Sequence, residues 1–203
     1  MFEESARWYD ALYSFKDYAR ESGEIISMLK QVHCKASTVL DVACGTAEHD
    51  KYLAEEYSVD GLDINADIAS TKNPHGEYFC ADMTDFTLAK TYDIVLCLFS
   101  SIGYVKKIDS LIEAFRCFGR HLNTDGIIVV EPWFTPDEWN PDCHVHLLTA
   151  ETSEGKICRM NISEQEGSLA VVNFHYLVGT SAGVKHFTER HDSKDNGECF
   201  DLF

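Results

Sequence analysis

Long apolar runs are missing from this sequence of 203 residues. A helix that crosses a membrane needs about 18 or more consecutive apolar residues, and no segment approaches that length. The opening residues, MFEESARWYD, are acidic and aromatic, whereas an export signal begins with basic residues followed by an apolar stretch. We therefore expect a cytoplasmic protein that is neither exported nor held in a membrane.

Basic residues are scarce. The chain has 17 Lys and Arg against 34 Asp and Glu, which gives a formal net charge of −17. Proteins that bind nucleic acids or anionic membranes need clustered basic side chains to neutralise phosphate groups. The charge balance therefore predicts that neither nucleic acid nor a membrane surface is a partner.

Paired cysteines are also missing, because none of the eight cysteines lies in a C-x-x-C motif. Several fall within apolar, strand-like runs, which is typical of reduced and buried thiols in a cytoplasm. The segment CHVH at 143–146 resembles part of a metal site, but zinc needs about four well-spaced ligands and no second cluster supplies them. The sequence predicts no metal site.

Short apolar runs alternate with helix-like segments over the first two thirds of the chain. The apolar runs span 38–43, 58–62, 77–80, 92–99 and 126–131, and the helix-like segments span 5–31, 47–56, 66–72 and 107–122. Strands that are apolar on both faces and alternate with helices are typical of a parallel sheet covered on both sides. The sequence predicts an α/β, Rossmann-like parallel sheet flanked by helices.

The pattern changes after residue 133. Three β-rich runs, KICRMNISEQ, SLAVVNFHYLV and GVKHFTERH, are separated by turn residues. They predict an appended antiparallel β meander. We expect a cofactor-binding α/β domain over 1–135 with an N-terminal helical lid, and over 136–203 a β appendage that covers the substrate side and offers a dimer contact.

The loop in VLDVACGTAEH, residues 39–49, follows the first predicted strand, where open α/β sheets bind ligands. It has neither the G-x-G-x-x-G of dinucleotide sites nor the lysine of a phosphate-binding loop. Gly45 stands alone, and Glu48 would repel a phosphate in the first turn of the following helix. The loop predicts a ligand without phosphates, and one with positive charge would be favoured.

Two further acids follow the next two predicted strands. Asp63 lies 18 residues after Gly45, near the spacing at which a carboxylate accepts hydrogen bonds from ribose hydroxyls. Asp82 could accept from the amino group of an adenine while the backbone of Met83 meets the ring. Ribose, adenine and a cation without phosphate together describe S-adenosyl-L-methionine.

At this point the sequence resembles the class I S-adenosylmethionine-dependent methyltransferases. The motifs VLDVACGTAEH, VDGLDIN, ADMTDF, FSSIGY and VVEPWF occur in the order of that class. Together with WYDALY, KDY and FHYLVG, they resemble more particularly the N,N-dimethyltransferases of nucleotide-linked amino sugars. The resemblance covers roughly residues 5–190, and its first three motifs are specific for the cofactor class.

The resemblance implies roles for particular residues. In the cofactor site, Ala43 and Gly45 would border the methionine part, Asp63 would hold the ribose, and Asp82 and Met83 would hold the adenine. The full set of implied cofactor-binding residues is Tyr18, Asp41, Ala43, Gly45, Asp63, Ile64, Asp82, Met83 and Leu98. Tyr9 and Tyr104 would face the acceptor amine as the catalytic pair. The substrate-binding residues would be Trp133, Arg159, His175 and Tyr176. Because the last two alternate on one strand, only one of them can face the pocket.

Structural alternatives exist for several of these residues. Asp63 could cap a helix opened by DINADI, and Asp41 could hold backbone amides of the loop. Tyr9 and Tyr18 could simply pack a lid helix.

Two departures from the family pattern stand out. Ala47 replaces the second glycine of the usual CGTG, where close backbone contact with the cofactor is wanted. The helix and two strands that usually follow the meander in this family have no counterpart in the sequence, so the parallel sheet would lack its last two strands. An unpaired edge strand tends to associate with another chain, and we therefore expect a homodimer.

These observations leave three functional readings. The first is a methyltransferase for the amine of a small molecule, such as a nucleotide-linked amino sugar. The second is a methyltransferase for another small acceptor, such as an amino acid or hydroxylated metabolite. The third is a cofactor-binding protein without catalysis.

Overall fold

A computed structural model describes residues 4–65, 75–132, 145–167 and 169–194. The chain forms two compact units. One comprises Asp17–Pro132, and the other combines Met1–Lys16 with Trp133–Phe203. Within the described ranges, no helix is long and apolar enough to cross a membrane.

The first unit contains a parallel sheet, as the sequence predicts. Its strands are β1 (Thr38–Val42), β2 (Ser58–Asp63), β3 (Tyr78–Cys80), β4 (Tyr92–Cys97) and β5 (Leu122–Val130). Their order is β3-β2-β1-β4-β5, and every neighbouring pair is parallel. The order reverses direction between β1 and β4, the type of position at which open α/β sheets bind ligands.

Helices α2 (Tyr18–Val32), α3 (Asp50–Leu53) and α4 (Ile108–Arg120) belong to the same unit. Asp17 caps α2 by accepting the Arg20 N–H at 3.0 Å. Leu29 of α2 and Leu53 of α3 are buried against the apolar side chains of β1 and β4. This packing fixes the carboxyl ends of the central strands. The helix predicted at 66–72 lies outside the described residues.

The second unit contains a four-stranded antiparallel sheet. Its strands are β6 (Val145–Thr152), β7 (Gly155–Glu166), β8 (Leu169–Thr180) and β9 (Gly183–Lys194), paired in chain order. The sequence analysis predicted the last three strands and missed β6. This strand pairs only with β7 in the described sheet, and its mostly exposed side chains give little apolar signal.

The N-terminal segment packs against the antiparallel sheet. Trp8 precedes α1 (Tyr9–Leu12), and both Trp8 and Leu12 are buried in one cluster with Ile157, Tyr176 and Val178. Residues up to Lys16 therefore belong to the unit of the antiparallel sheet, whereas the sequence analysis assigned them to the α/β domain. The reason is the burial of two large apolar side chains on that sheet.

Candidate functional site

The loop between β1 and α3 begins at the carboxyl edge of the parallel sheet. Ala43, Gly45 and Ala47 all have left-handed backbone conformations, with φ of 61°, 55° and 57°. The Ala43 N–H donates to the Leu62 carbonyl at 2.6 Å, which holds the start of the loop against the end of β2. A side chain at Gly45 would meet no atom within 4 Å, so the space next to this glycine is open. Glycine adopts the left-handed φ found at Ala47 more readily than alanine does.

Asp63 ends β2 and is bonded directly to this loop. One carboxylate oxygen accepts the Gly45 N–H at 2.9 Å, and the other accepts the Asn65 N–H at 2.8 Å. Each oxygen has a further lone pair, so the carboxylate can still accept hydrogen bonds from a ligand. Asp63 thus fixes the loop and remains available as an acceptor beside it.

Asp82 follows β3 in a tight local turn. Its Oδ1 accepts the backbone N–H of Thr84 at 2.8 Å and the Thr84 hydroxyl at 2.7 Å. Asp82 is exposed and Met83 is half-buried. Since β3 is next to β2 in the sheet, Asp82 and Asp63 follow neighbouring strands at the same edge.

A buried pair of acids lies beneath the loop. Asp41 of β1 hydrogen-bonds to Asp50 of α3, and Asp50 also accepts the Tyr78 hydroxyl at 3.0 Å. Tyr78 can lie this close to β1 because Gly61 has no side chain: a Cβ there would be 2.4 Å from the tyrosine ring. Oδ1 of each acid has no hydrogen-bond partner among the described residues. The loop therefore rests on two carboxyl groups that are sealed from water.

The pair cannot readily hold two negative charges. Burial, together with the charge of Asp50, raises the pKa of Asp41 well above its ordinary value. Burial raises the pKa of Asp50 to about 6. At neutral pH we expect one proton to be shared between the two carboxyl groups. The same burial raises the pKa of the Cys44 thiol, which makes a reactive thiolate unfavourable.

These shifts predict how stability depends on pH. A carboxyl group whose pKa is higher in the folded state stabilises the fold below its unfolded pKa, and this contribution is lost as pH rises through the folded pKa. Asp50 should therefore lower the free energy of unfolding between about pH 4 and pH 6. We expect the Asp50→Asn variant to lose less stability than the wild-type protein over this range, with a difference on the order of 1–3 kcal/mol.

The measurement is urea denaturation at several pH values. Glu55→Gln is a suitable control, because Glu55 is an exposed acid close in sequence. Identical pH dependence in Asp50→Asn and wild-type protein would contradict the shared-proton description.

The motif FSSIGY forms a second strained segment after β4. Phe99 and Ser100 are left-handed, with φ of 52° and 59°, and a short 3-10 helix then ends at Tyr104. The Phe99 N–H donates to Glu131 Oε2 at 2.7 Å, and the Ser100 hydroxyl donates to the Pro132 carbonyl at 2.9 Å. Non-glycine residues in such conformations often occur at functional sites. Here they place Tyr104 beyond the carboxyl end of the central strand β4.

The other predicted cofactor-binding residues of this unit, Tyr18, Leu98 and Ile64, differ in how far they are buried. The Tyr18 ring contacts the His49 ring edge-on at 5.0 Å, which brings the start of α2 next to the β1 loop. Leu98 is buried in the core cluster. Ile64 is exposed, with 58% of its surface accessible.

The remaining predicted residues belong to the unit of the antiparallel sheet. The Tyr9 and Tyr13 rings lie 4.6 Å apart. Tyr176 is fully buried in the sheet cluster, whereas its neighbour His175 is exposed, as strand alternation requires. Arg159 is buried and bonds to Tyr13. Trp133 lies outside the described residues.

The residues at the carboxyl edge of the parallel sheet fit S-adenosylmethionine. Carboxylates of Asp63 and Asp82 can accept hydrogen bonds, the space next to Gly45 is open, and Asp41 has a buried oxygen without a partner. The 43–49 loop contains no Lys or Arg that would select a phosphate. In the described ranges, no group of three His, Cys, Asp or Glu side chains could hold a metal ion.

Comparisons with known proteins agree with this geometry. The profile of a family described as "Methyltransferase domain" matches residues 39–126. The dTDP-3-amino-3,6-dideoxy-alpha-D-glucopyranose N,N-dimethyltransferase of Streptomyces fradiae is 36% identical over 195 residues, which cover 93% of this chain and 76% of the relative. The chain belongs to the class I S-adenosylmethionine-dependent methyltransferases. Its cofactor is S-adenosylmethionine.

Solved structures that resemble this methyltransferase include a sugar N-methyltransferase. The sugar N-methyltransferase KedS8 from Streptoalloteichus is 31% identical with a TM-score of 0.85, and the match covers 92% of this chain and 77% of that one. DesVI from Streptomyces venezuelae gives the same identity and TM-score, with coverage of 96% and 86%. The predicted fold class is thereby confirmed.

Two features of the methyltransferase site were not found from the sequence. Asp50 was predicted only as part of a helix. The residues next to it in the sequence do not indicate that the Tyr78 hydroxyl, 28 residues further along the chain, donates to its carboxylate. Glu131 lies in the recognised motif VVEPWF, but its role as an acceptor for the Phe99 N–H depends on the pairing of β4 and β5.

Proposed function

We propose that this methyltransferase transfers methyl groups from S-adenosylmethionine to the amino group of a nucleotide-linked amino sugar. The observation that carries the proposal is the Asp63–Gly45 bond, which joins the acid predicted to hold ribose to the loop predicted to border methionine. The names of the relatives from Streptomyces fradiae and Streptomyces venezuelae, both N,N-dimethyltransferases of dTDP-linked amino sugars, support the choice of acceptor.

Residues of the parallel-sheet unit would hold the cofactor. Asp63 accepts the ribose hydroxyls, and Asp82 with the backbone of Met83 holds the adenine. Ala43 and Gly45 border the methionine part, while Asp41 and its shared proton support the loop from below. Tyr18 contributes from the start of α2, and Leu98 and Ile64 line the pocket. The cofactor supplies a methyl group on a positively charged sulfur, which the acidic edge of the sheet favours.

The protein would act mainly by alignment. Transfer is an in-line displacement, and correct orientation of the two reactants can contribute about 7–11 kcal/mol. The acceptor amine must be uncharged to attack, so it loses a proton to water or to a nearby group before transfer. Tyr104 and Tyr9 orient this amine, while Trp133, Arg159 and either His175 or Tyr176 bind the rest of the acceptor. Arg159 and Tyr176 are aligned on one face of the sheet, and His175 lies on the opposite face, so the proposal assigns Tyr176, within its apolar cluster, to the side of Arg159.

A substitution at Tyr104 tests the alignment role. We expect Tyr104→Phe to slow turnover by about 10-fold or more without abolishing it, because the ring remains and only one hydrogen-bonding group is lost. The measurement is the steady-state rate of S-adenosylhomocysteine formation. Complete loss of activity with intact fold and cofactor affinity would instead assign proton transfer to Tyr104.

We also propose that the enzyme is a cytoplasmic homodimer. Exposed apolar side chains share one face of the antiparallel sheet, where Leu147 is aligned with Met160 and Val145 with Ile162. Such patches often mark protein interfaces. Free thiols at the exposed Cys34 and Cys80 suit a reducing compartment. Light scattering after size exclusion tests the dimer, and a monomer at micromolar concentration would contradict it.

Comparison of acceptors tests the proposed function. The purified protein is incubated with S-adenosylmethionine and, separately, a dTDP-linked 3-amino sugar, the same amino sugar without the nucleotide, and a free amino acid. The proposal predicts S-adenosylhomocysteine formation with the first acceptor and little with the others. Equal turnover of the free amino sugar or the amino acid would favour a methyltransferase for another small acceptor.

A further inference from the structure

The chain between β3 and β4 is irregular over the residues that the structure describes. We call residues 82–88 the adenine segment, because the proposed function assigns Asp82 and Met83 to the adenine. Backbone N–H and C=O groups outside regular secondary structure still need hydrogen-bond partners. At the start of the segment a local turn supplies them, in which Asp82 accepts the Thr84 N–H at 2.8 Å and the Asp85 N–H at 3.0 Å. The next partners come from α4 and the residue that follows it.

The last turn of α4 provides two donors. The Cys117 thiol donates to the Thr84 carbonyl at 3.4 Å, and Arg120 Nη2 donates to the Phe86 carbonyl at 3.3 Å. Arg120 Nη2 also donates to Cys117 Sγ at 2.9 Å, which links the two contacts. Cys117 and Phe86 are buried, so the middle of the adenine segment is packed against this helix.

His121, directly after α4, makes the third bond. Its Nε2 accepts the Leu88 N–H at 2.8 Å, and its Nδ1 donates to the Cys117 carbonyl at 2.6 Å. The partners decide the tautomer, because a carbonyl can only accept and a backbone N–H can only donate. The His121 side chain is buried, and its ring stacks on Phe86 with the ring centres 4.5 Å apart. The imidazole is therefore held in one orientation, with Nε2 as the acceptor.

A fixed adenine segment makes recognition selective. Asp82 is exposed, so its carboxylate can accept a hydrogen bond from the amino group of an adenine. A site that is held in place to bond to a ligand group rejects an analogue without that group, because the polar group of the site is then left unpaired. A segment that could shift would bond to water instead and would discriminate less.

We propose that His121 is a positioning residue for adenine recognition, acting through its bond to the Leu88 N–H. This inference rests on the proposed function, which places the adenine at Asp82. His121 does not itself bind the cofactor. It fixes the far end of the adenine segment, while the turn at Asp82 closes the near end and Cys117 and Arg120 hold the middle. No covalent or proton-transfer step is involved.

Calorimetric titration of the full chain with two ligands tests this proposal. S-adenosylhomocysteine carries adenine, whereas S-inosylhomocysteine carries hypoxanthine, which has a carbonyl oxygen in place of the amino group. We expect wild type to prefer the adenine ligand by about 10-fold or more, because that oxygen would face the Asp82 carboxylate. His121→Phe keeps an aromatic ring but cannot accept from Leu88. It should bind S-adenosylhomocysteine about 10-fold more weakly, and its preference should fall below about 3-fold.

Two further variants separate the hydrogen bond from the packing of the ring. A glutamine amide reaches the position of Nε2, so His121→Gln can still accept the Leu88 N–H and should keep a preference within about 3-fold of wild type. The shorter asparagine amide reaches only the position of Nδ1, so His121→Asn should behave like His121→Phe and replaces it if that variant does not fold. The control is His33→Phe, which changes a half-buried histidine at the end of α2 and should leave both affinities unchanged.

The proposal is overturned if folded His121→Phe or His121→Asn keeps the wild-type preference. An equal loss of affinity for both ligands is what a purely structural role predicts, so that result also counts against it. Loss of the preference in His121→Gln would assign the effect to the ring rather than to the acceptor. A wild-type protein that binds both ligands equally would show that the adenine amino group is not recognised.

These outcomes are separable from those of the proposed function. No binding of S-adenosylhomocysteine to folded wild type, or no methylation of a dTDP-linked amino sugar, would overturn the function. Methylation by wild type with an unchanged ligand preference in the His121 variants would overturn the positioning role alone. If the role is correct, His121→Phe should raise the KM for S-adenosylmethionine by about 10-fold with kcat within about 3-fold of wild type, because the bond to Leu88 acts on cofactor binding.

Discussion

Replacing Asp63 with alanine is expected to weaken binding of S-adenosylhomocysteine by about 100-fold or more. Hydrogen bonds to a charged group contribute about 1.5–3 kcal/mol each, and the variant would lose those to the ribose. It would also lose the bond to the Gly45 N–H at 2.9 Å, which fixes the loop. Calorimetric titration of wild-type and variant protein measures the difference directly.

Two comparisons make this experiment specific. Asp63→Asn keeps an oxygen that can accept one backbone N–H, so we expect its affinity to lie between those of wild type and Asp63→Ala. Asp85→Ala removes an exposed acid in the turn after β3 and should change the affinity by less than about 3-fold. Unchanged affinity in a folded Asp63→Ala protein would show that the cofactor does not bind at the end of β2.

The second large effect is expected on stability. Trp8→Ala should lower the free energy of unfolding by about 3–5 kcal/mol, the usual cost of removing a large buried aromatic side chain. Trp8 is only 1% exposed and packs with Leu12, Ile157, Tyr176 and Val178. Urea denaturation followed by circular dichroism is the measurement.

Phe15→Ala is the matched control, because Phe15 lies on the same segment and is 66% exposed. We expect this change to alter the free energy of unfolding by no more than about 0.5 kcal/mol. Equal effects of the two substitutions, or a loss below about 1 kcal/mol in Trp8→Ala, would mean that the N-terminal segment is not packed on the antiparallel sheet.

The parallel sheet could be predicted because its signals are local. Runs such as 38–43 and 92–99 are apolar on both faces, which is typical of central parallel strands, and β1 and β4 are indeed buried along most of their length. The kind of ligand that the loop after β1 binds could also be predicted, because its signals are local as well. One glycine, one nearby acid and no lysine determine what kind of ligand it can hold.

The features that were missed depend on contacts between distant parts of the chain. The aromatic residues at 8–15 indicate packing, but the sequence does not say that Trp8 packs on Ile157 and Tyr176 rather than on the α/β domain. The burial of Asp50 depends on Tyr78 and on the absence of a side chain at Gly61. Strand β6 is mostly exposed, so its alternation carries little hydrophobic signal.

The most direct test of the central claim is the identity of the product. A dTDP-linked 3-amino sugar is incubated with the purified protein and methyl-labelled S-adenosylmethionine, and the product is analysed by mass spectrometry with fragmentation. We predict that one and then two labelled methyl groups appear on the sugar nitrogen, and that Asp63→Ala abolishes this under the same conditions. A wild-type protein that binds S-adenosylhomocysteine but leaves the amino sugar unmethylated, or methylates it on oxygen, would contradict the account.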